Sequence, residues 1–371
     1  MSPNRTRRAV LAGTGAGIAA LAGCLGGRSS AGSPGDGTAT APDRADTDGP
    51  GSALPLADEA YLVEDELAQL RAWVVSGGPP KDGIPSIDAP TFESVADVDD
   101  RLQPGDPVFS VVVDGEARAY PQKILVWHEI VNDTVGGDPV AVTYCPLTGT
   151  AIGYRRGDTE FGVSGRLLNA NLVMYDRETD SRWPQVLGTA IEGVYVGERL
   201  QHVPVAWTTW GRWREAHPDG RVLTEDTGYV RDYGRDPYGR YNPKSGYYAT
   251  DAMLFAPERE DDRHPPKLVV HGARTATGAF AVAKDRLREA RVVTGRAGAD
   301  RVVAVHDATL DAGHVYRFAP DESATVSPVT GGYGVDGESY PADGLPFESL
   351  PSFDAMWFAW FAFYPSTEVD A

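Results

Sequence analysis

Hydrophobic and polar positions alternate in several short stretches of the chain, and this pattern predicts strands joined by tight turns. Residues 109–113 alternate and are followed by Asp114-Gly115, a dipeptide typical of two-residue β-hairpins. Residues 151–156 and 159–164 predict a second hairpin, with Gly157-Asp158 as its turn. A strand-rich fold is therefore expected.

Short helices interrupt these strands. Pro121 suits the first turn of a helix that runs through Ile124, Trp127 and Ile130, which are spaced to share one helical face. Residues 356–363 are apolar on every side, so the helix predicted there should be buried in the core. That helix is too short to cross a bilayer.

The same pattern of strands and helix occurs twice along the chain. Residues 108–156 align with residues 267–318 at an offset of about 162, which places Cys145 on Asp307. The second region has no histidine that matches His128. Two matching stretches in the same order indicate an internal duplication.

Each repeated region is followed by an aromatic helix with the pattern W-x-x-W-x-x-x-[HY]-P, beginning at Trp210 and again at Trp357. The sequence therefore predicts an α+β, strand-rich fold of two duplicated β-β-α-β-β units, each closed by an aromatic helix. The halves would span about residues 107–220 and 267–366, and residues 221–266 would form an aromatic, Gly-rich connector.

The N-terminus has the features of an export signal. Arg7-Arg8 precede a mild apolar run that ends in LAGC, which resembles the lipobox of bacterial and archaeal lipoproteins. We therefore expect a twin-arginine signal peptide at residues 1–23 and a lipid on Cys24 that holds the protein on the outer face of the cytoplasmic membrane. Residues 24–55 are rich in Gly, Ser, Ala, Thr and Asp and predict a flexible tether to a globular domain at residues 56–366.

The chain is strongly acidic. Its formal charge is −19, and loss of residues 1–23, which contain three arginines and no acid, leaves −22 on the mature chain. Such a surface repels nucleic acid, so no nucleic-acid partner is expected. It is also typical of adaptation to high salt, where charge repulsion is screened. The alternative is that the acidic surface attracts a cationic partner.

Several long motifs resemble one known family. They are AYPxxILxxHEIVND, TYCPLTGTA, FGVSGRLLNANLVMYDRETDSRWPQ, DPYGRY and MWFAWFAFYP, spread over about residues 82–366. Together they resemble the family called domain of unknown function 3179. The resemblance implies an extracytoplasmic globular domain and brings no established activity, substrate or cofactor. Some relatives carry a second cysteine, in C-P-L-C, where Thr148 stands here, and this argues against a dithiol role.

With Cys24 acylated, Cys145 is the remaining thiol, and it lies in the half that also contains His128. Because His128 is expected at the end of a helix and Cys145 at the end of a strand, the two can meet. An imidazolium beside a thiol lowers its pKa, which would make Cys145 a catalytic nucleophile with His128 as its partner. The alternatives are half of a copper or zinc site, or a cysteine that only packs. No HExxH, CxxC or calcium-loop pattern occurs, so the sequence predicts no metal site and indicates no cofactor.

Polar residues found in the first half alone are the better candidates for function, since features shared by both halves serve the fold. The candidate ligand-binding residues are Glu129, Asn132, Asp133, Arg166, Asn169, Asn171, Tyr175, Asp176 and Trp183. The alternative for this set is that its Asn and Asp side chains bond their own backbone in turns.

Two hypotheses of function follow, and whether the protein is an enzyme stays open. In the first, a lipid-anchored domain of unknown activity has a thiol or ligand pocket around His128 and Cys145. In the second, the protein is a non-enzymatic surface module that binds a partner or glycan through the tyrosines of the connector and the region of Trp183.

Overall fold

A computed structural model describes residues 54–98 and 100–370. The predicted signal peptide, the lipidation site Cys24 and nearly all of the predicted tether lie outside the described residues. Within the described ranges, no helix is long and apolar enough to cross a membrane.

Five α-helices lie in the part of the chain that the structure describes, and each has only six or seven residues. They are α1 (Leu67–Ala72), α2 (Gln122–His128), α3 (Trp210–Ala216), α4 (Lys284–Ala290) and α5 (Trp357–Phe363). Two further turns of 3₁₀ helix are Val95–Asp97 and Tyr247–Ala249.

The strands up to residue 223 belong to three sheets. They are β1 (Val75–Ser76), β2 (Phe92–Ser94), β3 (Pro107–Val113), β4 (Glu116–Pro121), β5 (Ile130–Val135), β6 (Asp138–Cys145), β7 (Thr150–Arg155), β8 (Phe161–Leu168), β9 (Asn171–Asp176), β10 (Arg182–Pro184), β11 (His202–Val203), β12 (Ala206–Thr209) and β13 (Arg221–Leu223).

The later strands form a connector hairpin and three more sheets. They are β14 (Gly239–Tyr241), β15 (Lys244–Gly246), β16 (Val269–Arg274), β17 (Ala279–Ala283), β18 (Val292–Ala297), β19 (Asp300–Asp307), β20 (Ala312–Arg317), β21 (Ser327–Val329), β22 (Gly332–Val335), β23 (Glu338–Tyr340), β24 (Glu348–Leu350), β25 (Ser352–Met356) and β26 (Glu368–Asp370). With 40% strand and 13% helix, the expected strand-rich α+β class is confirmed.

The two halves show the same order of elements. The hairpin β3–β4 leads through α2 into the antiparallel run β5–β6–β7, and the hairpin β16–β17 leads through α4 into β18–β19–β20. Strand β12 then pairs antiparallel with β3, and after α3 strand β13 pairs parallel with β4. Strands β25 and β26 flank α5 and pair with β16 and β17 in the same two ways.

The structure tests the two predicted hairpins separately. Val113 pairs with Glu116 across Asp114-Gly115, and both turn residues have positive φ, so this hairpin is confirmed. The hairpin across Gly157-Asp158 is wrong, because β7 pairs with β6 and β11 whereas β8 pairs with β9 and β1. The turn at Gly157-Asp158 carries the chain from one sheet to another.

The predicted helices form with small changes at their ends. Pro121 is the last residue of β4 and caps α2, and Ile130 already belongs to β5, so this helix is shorter than expected. Helix α5 is buried as predicted, and Trp360 packs directly on strand β16. A Cβ on Gly272 would lie 2.3 Å from the Trp360 ring, so glycine permits this close approach.

One hydrophobic core joins the two halves. It contains Ile130, Cys145 and Trp183 from the first half, together with Trp357 and Trp360 from the second. Because these side chains belong to one continuous cluster, the halves are packed as a single unit around α5.

Candidate functional site

His128 ends α2 and is fully buried. Its Nδ1 lies 2.8 Å from the carbonyl oxygen of Pro85, which can only accept, so Nδ1 carries the proton. Nε2 therefore accepts from the Tyr233 hydroxyl at 2.7 Å, and the Thr227 hydroxyl donates to Tyr233 at 2.6 Å. Burial lowers the pKa of His128, which favours this neutral form. The imidazole links α2 to the connector.

Cys145 ends β6 and is only 1% exposed. Its Sγ lies 3.8 Å from the carbonyl oxygen of Ala170, and neither ring nitrogen of His128 bonds to it. Burial, reinforced by the nearby Glu129 carboxyl, raises the pKa of the thiol to about 11. The structure therefore does not form the expected Cys–His hydrogen bond, since both ring nitrogens have other partners, and it keeps the thiol protonated.

Glu129 follows α2 in a left-handed conformation, with φ 59°. Its backbone N–H donates to the carbonyl of Leu125 at 2.7 Å, and its carbonyl accepts from the N–H of Tyr144 at 2.7 Å. Arg291 occupies the corresponding place after α4, with φ 64° and a 2.8 Å bond to Leu287. The backbone geometry is thus common to both halves, whereas the acidic side chain occurs in the first half.

The carboxyl of Glu129 is buried without a partner. The side chain is 8% exposed, and it makes no hydrogen bond or ion pair with any residue in the described ranges. Burial alone raises its pKa to about 8. A buried carboxyl without a hydrogen-bond partner is unfavourable in its charged form, which agrees with the raised pKa of Glu129.

One tyrosine of the connector, Tyr238, interacts electrostatically with this acid. Burial and the charges of Glu129 and Cys145 raise the pKa of Tyr238, whose hydroxyl also has no hydrogen-bond partner among the described residues. The tyrosine cluster, defined as Tyr238, Tyr241, Tyr247 and Tyr248, has ring centroids 3.9–6.5 Å apart. We call Glu129, Cys145 and the tyrosine cluster the Glu129 site. The described residues contain no group of three or more His, Cys, Asp or Glu side chains arranged to hold a metal ion.

Two further candidates beside this site have structural partners. The amide of Asn132 donates to the Phe161 carbonyl at 2.9 Å, and its oxygen accepts from the Phe161 N–H at 2.9 Å. Asp133 accepts from the Tyr120 hydroxyl at 2.6 Å and from the Thr134 N–H at 2.7 Å. These bonds hold β5 against β8 and β4.

Asn171, Asp176 and Trp183 are buried within hydrogen-bond networks. The Asn171 amide donates to Gln185 at 2.8 Å, and its oxygen accepts from a backbone N–H. Asp176 accepts from the N–H and hydroxyl of Thr179 and from the Trp183 indole at 3.0 Å. The fully buried Trp183 ring has no free face for a sugar or a partner. This geometry favours the alternative in which these side chains hold turns together.

The remaining three candidates point in different directions. Arg166 is exposed on β8, and the Asn169 amide donates to the carbonyl of Ala362 in α5 at 3.2 Å. The Tyr175 hydroxyl donates to Asp82 at 2.5 Å. The structure therefore does not bring the second set of candidates together around one site.

Comparison with known proteins places the chain in a family. A model described as "Protein of unknown function (DUF3179)" matches residues 81–367, which is most of the chain. The chain is a member of the DUF3179 family. No curated protein and no solved structure matches this DUF3179 chain.

Glu129 and Cys145 are predicted from the sequence as candidates of the first half, whereas Tyr238, on which Glu129 acts electrostatically, is not. The available signal was the DPYGRY motif, which contains Tyr238 and Tyr241. This motif lies in the predicted connector, and its spacing does not indicate that Tyr238 lies near the ends of α2 and β6.

We predict that native Cys145 reacts slowly with thiol reagents, because it is buried and its thiol pKa is raised. In a Cys24→Ser chain, where Cys145 is the only cysteine, Ellman's reagent should label it at pH 8 only after unfolding in guanidinium. Stoichiometric labelling of the folded chain within seconds would show a reactive, accessible thiol instead.

We predict that Glu129 makes stability depend on pH. Its folded-state pKa of about 8 exceeds the ordinary value of 4.5, so between these values the folded state binds more protons than the unfolded state. The free energy of unfolding should therefore fall as pH rises through this window. At about 1.4 kcal/mol per pKa unit, the total fall is on the order of 5 kcal/mol.

The measurement is urea unfolding at pH 5 and pH 9 for the native chain and for Glu129→Gln, which removes this titration. The exposed Glu192 supplies the matched control, and Glu192→Gln should keep the native pH dependence. Equal pH dependence in the native chain and Glu129→Gln would contradict a raised pKa at Glu129.

Proposed function

We propose that this DUF3179 protein is a lipid-anchored, extracytoplasmic binding protein that holds a small organic cation at the Glu129 site. The observation that carries the proposal is the buried Glu129 carboxyl, which has no partner within the described residues. A cationic ligand would supply the missing charge and hydrogen-bond donors, and it would lower the pKa of Glu129 on binding.

The tyrosines support a cation over other ligands. The faces of aromatic rings attract positive charge, and a cation held by rings and one carboxylate is a recurrent recognition mode. Tyr238 belongs to the tyrosine cluster, and the charge of Glu129 acts on its hydroxyl. A binding role is favoured over thiol catalysis because the pKa of Cys145 is raised to about 11.

A duplication explains why the site would occur once. The shared order and pairing of elements support a common origin for the halves about residues 107–220 and 267–366. Glu129 and Arg291 then occupy equivalent left-handed positions after equivalent helices. In the second half the Arg291 guanidinium lies 5.3 Å from the ring of Tyr333, so the acid of the first half is a specialised side chain on a common backbone.

A second candidate function is a surface module that binds a protein partner. Trp183 is unavailable, but the connector presents Tyr229, 43% exposed, and Val230, 96% exposed, side by side. Exposed apolar and aromatic side chains of this kind are typical of interface anchors.

We expect choline and tetramethylammonium to stabilise the folded chain if the Glu129 site binds organic cations. Thermal unfolding in 10–50 mM of either salt, against matched sodium salts, should show a rise in Tm for the native chain and for Glu192→Gln. Glu129→Gln should lose this rise. No rise in the Tm of the native chain with either cation, or an equal rise in Glu129→Gln, would contradict the proposal.

The proposed export signal and lipid anchor can be tested separately from ligand binding. Replacement of Cys24 by Ser should remove the acylation site while leaving export intact, so the chain should move from the membrane fraction to the medium. Replacement of Arg7-Arg8 by Lys-Lys should instead retain the chain in the cytoplasm. Cell fractionation with immunoblotting measures both, and membrane retention of the Cys24→Ser chain would contradict a lipid anchor.

A further inference from the structure

A cleft of about 400 Å³ opens between the two halves, away from Glu129. The first half lines it at Pro107 and residues 207–209, the connector at Tyr241, and the second half at Lys284 and Met356. Its volume lies in the range typical of sites for small organic molecules. The cleft exists only because the halves pack together, so no single motif encodes it.

Lysine is concentrated in this cleft. The chain has five lysines among 34 basic residues, and three of the five, Lys244, Lys267 and Lys284, line the cleft. The other two, Lys81 and Lys123, form ion pairs elsewhere. Four basic and three acidic side chains line the cleft, so its formal charge is +1 in a chain whose total is −19.

Lys267 is the most unusual of these cations. Its side chain is 9% exposed, and its Nζ donates to the carbonyls of Tyr247 at 2.6 Å and Ala252 at 2.7 Å. No carboxylate within the described ranges forms an ion pair with it. Burial lowers its pKa to about 8, and the charge of Asp251 opposes this shift without forming an ion pair.

The other strong charges of the cleft cancel within it. Lys284 pairs with Asp354, whose second oxygen accepts from His271 at 2.8 Å. Arg288 forms two 2.9 Å bonds with Asp311. Lys267 therefore remains as a buried cation without an ion pair among the described residues, and the exposed Lys244 and Asp285 add one charge of each sign.

The walls of the cleft are apolar and aromatic. Met356 is buried, and the Trp207 and Tyr241 rings meet edge to face with centroids 5.0 Å apart. The Trp207 indole N–H makes no hydrogen bond to a described residue, so the wall also offers one free donor. A ligand here would need an apolar body and one negatively charged, hydrogen-bond-accepting group.

We propose that the cleft between the halves is a second binding site, specific for small organic acids that carry one carboxylate on an apolar body. The carboxylate forms with Lys267 the ion pair that no described residue provides, and the apolar body packs against Trp207, Tyr241 and Met356. This goes beyond the cation site at Glu129, with which the cleft shares Tyr241 of the tyrosine cluster.

Isothermal titration calorimetry on the purified full chain tests the site with matched probes. The acid is 4-phenylbutyrate, the neutral control is 4-phenylbutyramide, the cationic control is 4-phenylbutylamine and the inorganic control is phosphate. We expect the acid to bind at least tenfold more tightly than the amide, with no binding of the amine. Lys267→Met should abolish this preference, and Lys267→Arg should restore part of it.

Lys244→Met provides a second variant that is safe for folding, because Lys244 is exposed, and it should weaken binding of the acid two- to fivefold. Lys81→Met, outside the cleft, should leave binding of the acid unchanged. Equal affinity for acid and amide, binding of phosphate alone, no binding of any probe at millimolar concentration, or full affinity in both Lys244→Met and Lys267→Met would each overturn the proposal.

Discussion

The packing of two halves around one aromatic core is the constraint on which the rest of this structure depends. Trp183 from the first half and Trp357 and Trp360 from α5 belong to the same cluster, so the two halves share this part of the core. Arg274 crosses the same junction, 2% exposed, with its guanidinium donating to the carbonyls of Val186 and Leu187. A buried guanidinium without a carboxylate is stable only if carbonyl and hydroxyl oxygens accept its hydrogen bonds. The junction must therefore hold these oxygens within hydrogen-bond distance of Arg274.

Because the halves share a backbone plan, differences between equivalent side chains carry the information about function. Trp213 and Trp360 follow the same spacing, and each indole donates to a hydroxyl, that of Ser110 and that of Thr367 respectively. Those features serve the fold. Glu129 and Arg291 share a left-handed backbone position, but Arg291 finds an aromatic face whereas Glu129 is left without a partner. The backbone conformation at the two positions is thus the same, while the chemistry of the two side chains differs.

The sequence reveals the local elements and leaves the long-range pairings open. The Asp114-Gly115 hairpin and the buried α5 follow from turn chemistry and from apolar residues on every side of the helix, which act over a few residues. The turn at Gly157-Asp158 shows what turn residues cannot predict. They indicate that the chain changes direction, but they do not indicate which strands pair after the turn. The His128–Cys145 contact failed for a related reason: Pro85 and Tyr233 occupy the imidazole, and both come from distant parts of the chain. The proximity of Tyr238 to Glu129 could not be predicted, because the two residues are more than 100 positions apart in the sequence and only the folded connector brings them together.

Each candidate site contains a buried ionisable group that lowers the stability of the folded chain. A carboxyl buried without a partner and an ammonium buried without a counter-ion each destabilise the folded chain. Folding alone would favour a neutral side chain at Glu129, and it would favour an uncharged one at Lys267. Lys267 lies directly over the ring of Tyr247, with its Nζ 3.2 Å from the ring centroid, and Glu129 acts electrostatically on Tyr238 of the same cluster. Lys267 is one of the five lysines of this acidic chain, and because it is buried it contributes little to solubility.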